Sequence, residues 1–226
     1  MIDDDGSGSP SRRHREMRSL TGALARSART AGRASVLGGR WLTDLLIDIA
    51  PRLPVRDLAT LRTQHPGLPD EDLAEAVISG AAKSTAAIGA AGGALAAVEF
   101  AAPPTLLTAP FQIAAETLLV AALEIKLLAE LHEVYGAVPP GSRSSRTADY
   151  LIAWTNRRGV EPGSARLSLG PVAGVALRRR VVRRAAQNLS TLGPFLSGAL
   201  AGGMVNLRET RKLGEQVRMD LRMRSR

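Results

Sequence analysis

The stretch that decides the fold is residues 69–136, PDEDLAEAVISGAAKSTAAIGAAGGALAAVEFAAPPTLLTAPFQIAAETLLVAALEIKLLAELHEVYG. Its first half is rich in alanine and glycine, its second half is rich in leucine, and Pro103, Pro104 and Pro110 separate the two. A first-turn proline followed by three carboxylates is typical of a helix start, and the later prolines remove backbone donors that a continuous helix needs. The stretch therefore predicts two long helices folded back on each other as a hairpin.

Small side chains recur at every fourth position of the first predicted helix. The row consists of Ala81, Thr85, Gly89, Gly93 and Ala97. Residues spaced by four lie on one face of a helix, so another helix is able to approach this row closely. Gly89 and Gly93 also form a GxxxG pair, a spacing used for tight helix packing in membranes. We interpret the row as a helix-packing surface.

The second predicted helix has apolar residues on almost every side, so most of it must be buried in protein or in lipid. Crossing a bilayer takes about 20 apolar residues. The uncharged runs of the hairpin are shorter, and the run at residues 100–115 contains three prolines. Glu116, Glu124 and Glu130 would also be costly near the centre of a bilayer. A hairpin inside a protein core is the favoured interpretation, and a membrane-spanning hairpin is the alternative.

Composition sets the fold class. The chain of 226 residues has no cysteine, which excludes disulfides and thiol chemistry, and only 3% of its residues are aromatic. Its length is sufficient for one core, and alternating β-branched runs are few. We predict an all-α multi-helix bundle built on the Ala/Gly-rich hairpin. Residues 41–226 are expected to form a single helical domain, preceded over residues 1–40 by a disordered acidic tip and an arginine-rich leader.

Shorter helices are predicted around the hairpin. Their patterns cover Trp41–Ala50, Pro54–Gln64, Thr147–Asn156, Pro171–Asn188 and Arg208–Arg226. The uncharged run Ala185–Leu207 is long enough to span a bilayer, but it contains several polar residues and the helix-breaking pair Gly193-Pro194. We therefore interpret it as two shorter core helices. In the last helix, Asp220 and Arg224 have the spacing of an ion pair.

The net charge of +9 is divided unevenly along the chain. Residues 1–40 carry +4, residues 41–140 carry −7 and residues 141–226 carry +12. The densest basic block contains Arg178, Arg179, Arg180, Arg183 and Arg184. Because a basic cluster attracts anionic partners, we assign these arginines to the binding of an anionic surface.

The run at residues 193–206, GPFLSGALAGGMVN, resembles a signature near the C-terminus of EcsC-family proteins. The matching positions are Pro194, Gly198, Ala199, Gly202 and Asn206. The Ala/Gly-rich helix, the proline break and the helix that ends near Gly136 also resemble the central region of that family. The resemblance covers residues 57–218 and implies a bacterial helical protein whose founding member is encoded beside ABC-transporter components. It supplies no catalytic residues, and the arginine-rich leader has no counterpart in it.

No motif in the chain predicts a chemical reaction. The glycines near residue 90 do not form a dinucleotide-binding fingerprint, and neither a phosphate-binding GxxxxGK[ST] loop nor a GxSxG elbow occurs. His14, His65 and His132 are far apart in sequence, which argues against a metal site. The carboxylates of the second helix are expected to be solvated or paired. We expect no catalytic residue, no cofactor and no metal.

These patterns favour a non-enzymatic helical protein held peripherally at the cytoplasmic face of a bacterial membrane, with anionic lipid or a membrane protein as its partner. Acidic residues replace the basic start of a secretory signal, which favours a location inside the cell. A second hypothesis is a nucleic-acid-associated protein that uses the same arginines, although aromatic residues for base stacking are scarce. An integral protein with a helical hairpin and an enzyme of unrecognised class remain further alternatives.

Overall fold

The computed structural model describes residues 40–101, 109–158, 174–183 and 197–224, and within these ranges it contains helices and no strand. The helices are α1 (Arg40–Ile49), α2 (Leu58–Gln64), α3 (Asp70–Ala101), α4 (Ala109–Val134), α5 (Arg143–Arg157), α6 (residues 174–183) and α7 (Ser197–Arg224), and a 3-10 turn at Ala50–Arg52 follows α1. The all-α prediction is confirmed. The predicted leader, up to residue 39, lies outside the described residues.

Helices α3 and α4 form the predicted hairpin. Nε2 of Gln112, in the first turn of α4, donates to the carbonyl oxygen of Gly92 at 2.9 Å. The carboxylate of Glu116, one turn later, packs against the same glycine. The start of α4 therefore meets the C-terminal part of α3, as two antiparallel arms require. The connection at residues 102–108 lies outside the described part of the chain.

Helix α7 packs along α3 at a distance that only very small residues allow. A Cβ atom at Gly89 would lie 2.5 Å from the carbonyl oxygen of Gly202 and 2.5 Å from Nδ2 of Asn206. A Cβ atom at Gly203 would lie 3.1 Å from the carbonyl oxygen of Ala86. Because the separation of two helices depends on the side chains between them, glycines on both helices let the two backbones approach each other.

The predicted row of small residues lies partly in this contact. Thr85 is fully buried, and its hydroxyl donates to Oγ1 of Thr210 on α7 at 2.9 Å. Gly89, one turn later, faces the backbone of α7. Of the remaining members, Ala81 packs against the core, Gly93 is buried, and Ala97 is described only in its backbone. Helix α7 is thus the partner of this part of the row.

The hydrophobic core surrounds α4, which packs against α1, α2, α3, α5 and α7. The main buried side chains are Leu42 and Leu46 of α1, Leu61 of α2, Leu73, Val77 and Ile78 of α3, Ile125, Leu128 and Leu131 of α4, Trp154 of α5, Leu177 of α6, and Leu213, Val217 and Leu221 of α7. Each fully buried side chain of this size contributes about 1.5–3 kcal/mol. Most of the described apolar residues of α4 are therefore buried in protein.

Helix α7 runs without interruption from Ser197 to Arg224. The sequence predicted a division here, between the uncharged run Ala185–Leu207 and a basic helix Arg208–Arg226, and this division is wrong. The composition changes at residue 208, but the buried positions continue at helical spacing from Asn206 onwards. The break predicted at residues 193 and 194 lies outside the described residues.

Capping side chains set the starts of two shorter helices. Asp57 caps α2 by accepting from the backbone N–H of Thr60 at 2.8 Å, which places its start four residues later than predicted. Ser142 caps α5 by accepting from the backbone N–H of Ser145 at 3.3 Å, which places its start four residues earlier than predicted. Both boundaries follow the cap and not the apolar pattern.

The ion pair at Asp220 joins two helices. Its carboxylate accepts from Nη2 of Arg157, the last residue of α5, at 2.7 Å. The sequence predicted a pair with Arg224, four residues further along the same helix. The structure corrects this prediction, because the end of α5 brings a second guanidinium within reach of α7.

Alanine at Gly89 is expected to lower the free energy of unfolding by about 1–3 kcal/mol, because the new Cβ atom meets the backbone of α7. Gly80 lies on the same helix with open space at its Cβ position, so Gly80→Ala is the matched control. The control should gain about 0.5–1 kcal/mol from the better helix propensity of alanine. Urea unfolding followed by circular dichroism measures both changes. Equal effects of the two substitutions would contradict the close contact.

Candidate functional site

The centre of the buried polar region is Glu124, in the middle of α4, whose side chain is 0% exposed. Its Oε2 accepts from Nε1 of Trp154 at 2.8 Å and from Nη1 of Arg180 at 2.9 Å. Its Oε1 accepts from Oγ1 of Thr210 at 3.2 Å and from Nη2 of Arg158. One carboxylate therefore receives hydrogen bonds from α5 and its C-terminal cap, from α6 and from α7.

Arg158 follows the last turn of α5, where its backbone N–H donates to the carbonyl oxygens of Trp154 and Thr155 at 3.1 Å. Its guanidinium binds Glu124 through two nitrogens, Nη2 and Nε, and donates from Nη1 to Glu209 of α7 at 2.9 Å. The planar guanidinium matches the geometry of a carboxylate and is well suited to such paired bonds. The end of α5 is thus fixed to α4 and α7 at once.

The acid at the centre of this region is ionised. Burial opposes the charged form of Glu124, but the positive charges of Arg180 and Arg158 and the hydrogen bond from Trp154 outweigh burial and hold its pKa below the ordinary value. Burial lowers the pKa of Arg158 despite the attraction of Glu124. An arginine remains charged at neutral pH because its ordinary pKa is so high. These contacts are therefore ion pairs.

Asn206 extends the polar region towards α3. Its Nδ2 donates to the backbone oxygen of Thr85 at 3.1 Å and to Oε1 of Glu116 at 3.4 Å. The hydroxyl of Thr85 donates to Thr210, which in turn donates to Glu124. A continuous chain of hydrogen bonds therefore crosses from α3 through α7 to α4.

These residues are termed the buried polar cluster: Thr85, Glu116, Glu124, Trp154, Arg158, Arg180, Asn206, Glu209 and Thr210. A cavity of about 20 Å³ lies beside it, lined in part by Glu116, Arg180 and Asn206. This volume has room for roughly one water molecule and none for an organic substrate. In the part of the chain that the structure describes, no group of histidines and carboxylates could hold a metal ion. The hydrogen bonds of the cluster connect α3, α4, α5, α6 and α7.

A second buried carboxylate on α4, Glu130, is 3% exposed and holds the segment before α2. Arg56 donates to it from Nη2 at 2.7 Å and from Nε at 2.8 Å, and Lys126 binds it from the preceding turn of α4. Burial favours the neutral acid, but the hydrogen bonds from Arg56 and Lys126 lower the pKa of Glu130 below its ordinary value. The carboxylates of Glu124 and Glu130 are thus both paired with cationic side chains of the protein.

The histidine of the hairpin, His132, is packed between helices. Its Nδ1 lies 2.7 Å from the carbonyl oxygen of Leu128, and its ring meets Tyr150 edge-on at a centroid distance of 5.1 Å. Burial lowers the pKa of His132, so the ring is neutral at pH 7. Burial also raises the pKa of Tyr150 to about 12. This pair contributes packing between α4 and α5.

The arginines predicted to bind an anionic surface do not all face outward. Arg178 and Arg179 are exposed, Arg183 is 52% exposed and 3.6 Å from Glu209, and Arg184 lies outside the described residues. Arg180 is only 10% exposed and belongs to the buried polar cluster. Its place in the surface-binding set is therefore corrected. Successive helical residues are turned by about 100°, so three consecutive arginines cannot share one face.

The opposite side of α6 combines apolar and basic side chains. Val175 and Val182 are 42% and 59% exposed, and Arg178 and Arg179 are exposed between them. Positions i, i+3, i+4 and i+7 share one face of a helix. These four residues are termed the outer α6 face. The inner side of the helix is anchored by the fully buried Leu177.

Sequence reasoning missed how Glu124 is neutralised. Arg158 lies beyond the predicted helix Thr147–Asn156, and Trp154 was not connected with the acid. One signal was present, since a carboxylate in an apolar helix requires a buried cation or hydrogen-bond donors. The chain contains so many arginines that this signal does not select Arg158 and Arg180 from the others.

The described motif positions lie on α7. Gly202 faces Gly89, and Asn206 belongs to the buried polar cluster. Gly198 and Ala199 lie in the first turn of α7, and Pro194 lies outside the described residues. No family model, curated protein or solved structure matches the chain. The resemblance to EcsC proteins therefore stays a prediction.

The membrane-spanning hypotheses concern the long helices. Among the described residues, no helix is both long enough and apolar enough to cross a membrane. This finding covers α3, α4 and the described part of the uncharged run, which begins at Ser197.

Replacing Glu130 by glutamine should lower the free energy of unfolding by about 1–3 kcal/mol at pH 7, because Arg56 and Lys126 lose their partner. The folded-state pKa of Glu130 lies below the unfolded value, so this stabilisation is present above about pH 4.5 and is lost as the pH falls through the folded pKa. The unfolding free energies of the parent and the variant should therefore converge in acid. Urea titrations between about pH 7 and pH 3 measure this difference.

Glu133→Gln is the control for this measurement, because Glu133 lies on the same helix and forms no ion pair with a described residue. Its unfolding free energy should follow that of the parent at every pH. A Glu130→Gln difference that does not change with pH would contradict an ionised, paired carboxylate.

Proposed function

We propose that this chain is a non-enzymatic helical protein of the EcsC type that binds the cytoplasmic face of a bacterial membrane peripherally. The contact is made by the outer α6 face, and the partner is anionic lipid. The observation that carries the proposal is the presence of two exposed valines and two exposed arginines on that one face.

The composition of this face suits a membrane interface. An arginine near an anionic surface contributes about 1 kcal/mol, and its long side chain reaches phosphates while the neighbouring apolar residues enter the headgroup region. Arg178 is exposed and forms no ion pair with a described residue. Val175 and Val182 supply the apolar contact, which the arginines alone lack.

The same face favours lipid over nucleic acid. Nucleic acid would use the arginines for phosphate contacts, but exposed valines offer neither stacking surfaces nor hydrogen bonds to bases. A bilayer uses both kinds of side chain, because phosphates lie directly beside apolar chains. The two exposed valines therefore favour a membrane over nucleic acid as the partner of this face.

The state of the acidic side chains supports a non-enzymatic role. Glu124 and Glu130, the buried acids of α4, are both held in ion pairs. A general acid or base needs a pKa near the working pH, whereas these two pKa values lie below the ordinary value. Both carboxylates therefore act in structure.

Replacing Arg178 and Arg179 by glutamine should weaken binding to vesicles that contain anionic lipid by about 30-fold at low salt, at about 1 kcal/mol for each arginine. Lys83→Gln with Arg143→Gln removes the same charge from two exposed positions on α3 and α5 and is the control. Cosedimentation with anionic and with neutral vesicles measures the difference. High salt should release the parent protein, because the attraction decays within a Debye length of about 8 Å at physiological salt.

Serine at Val175 and Val182 should weaken the same binding by about tenfold, and this loss should persist at high salt because it is apolar in origin. Val55 is 42% exposed, as Val175 is, but it lies before α2, so Val55→Ser is the matched control. Serine and valine have similar helix propensities, so α6 should be retained.

Three results would overturn the proposal. The control variants could weaken binding as much as the α6 variants, or neutral vesicles could bind as well as anionic ones. The protein could also ignore vesicles and bind nucleic acid with a steep dependence on salt, in which case the second hypothesis replaces the first.

A further inference from the structure

We propose that Arg180 is the positioning residue of α6: its salt bridge to Glu124 fixes the rotation of the helix and so determines which side chains form the outer α6 face. The consequence for lipid binding rests on the proposed function. The positioning itself can be measured without a membrane.

The geometry places Arg180 on the inner side of α6. Its side chain is 10% exposed, and Nη1 donates to the fully buried Glu124 at 2.9 Å. Ala176, one turn earlier, and Leu177 are buried on the same side. The preceding residue, Arg179, is exposed, whereas Val181 is partly buried and packs against the core beside Arg180. Of the three consecutive arginines, Arg180 is largely buried, and Arg178 and Arg179 are exposed.

Among the described residues of α6, the apolar side chains that pack against the core are Ala176, Leu177 and, partly, Val181. Ala176 and Leu177 are small or medium-sized, while Val175 and Val182 on the other side are equally able to pack against a core. A helix with apolar residues on both sides has a competing orientation, in which the valines turn inward. Hydrophobic burial alone does not exclude that orientation.

The ion pair with Glu124 opposes it, because Arg180 is one of the two guanidinium partners of this buried carboxylate. An interaction between two fixed charged groups is directional, unlike apolar contact. Turning the valines inward would withdraw Arg180 and leave Glu124 with Arg158 as its remaining guanidinium. Buried polar groups set the register of helices in other proteins in the same way. We therefore assign Arg180 to the orientation of α6, and the lipid contact proposed above to the outer α6 face.

The test compares Arg180→Met with Arg158→Met. Each removes one guanidinium from the same carboxylate and the same charge from the chain, but only the first frees α6. Amide hydrogen exchange in residues 174–183 should rise about tenfold or more in Arg180→Met, while Arg158→Met leaves it near the parent rate. Exchange in α3 and α4 should remain slow in both. Arg180→Lys, which keeps the charge, should restore part of the protection.

Vesicle binding provides the second measurement. Arg180→Met should bind anionic vesicles about tenfold more weakly than Arg158→Met, although neither side chain lies on the outer α6 face. Equal exchange of residues 174–183 in the two methionine variants would overturn the positioning role. Faster exchange together with equal vesicle binding would overturn its link to lipid. If the parent protein binds no vesicles, the proposed function fails, and the exchange rates alone decide the role of Arg180.

Discussion

The carboxylate of Glu124 is fully buried. Because an unpaired buried charge costs several kcal/mol, this carboxylate requires cationic partners inside the protein. Four helices take part in neutralising this charge. The cap of α5 supplies Arg158, α6 supplies Arg180, and α7 supplies the hydroxyl of Thr210 to the carboxylate on α4. Each of the three partner helices supplies at least one of its hydrogen bonds. The same charge that is costly to bury therefore makes the arrangement of the four helices specific.

The approach of α3 and α7 makes this solution possible. Gly89 lets the backbone of α7 come near enough for Thr85 to reach Thr210, and Thr210 then reaches Glu124. A bulkier residue at Gly89 would separate the helices and break this chain of hydrogen bonds at its first member. The hydrogen bonding of Glu124 on α4 therefore depends on a small residue on α3, although about 35 residues separate the two in sequence.

The sequence predicted the features that depend on local chemistry. The acidic start of α3, the antiparallel hairpin and the burial of α4 follow from capping, proline breaks and apolar periodicity. The rest depends on partners that are distant in the chain. Arg180 is chemically the same as Arg178 and Arg179, so only the position of Glu124 in space separates it from them. The continuity of α7 was also missed. Its composition changes from uncharged to basic at residue 208, but its buried face continues through that point.

The ion pair between Lys126 and Glu130 has a practical consequence for handling the protein. The chain contains three lysines, and Lys126 is 19% exposed and already bonded, whereas Lys83 and Lys212 are exposed. Among the lysine side chains, amine-reactive reagents therefore act mainly at Lys83 on α3 and Lys212 on α7. A fluorophore or a solid support attached through these amines leaves every guanidinium of α6 unmodified.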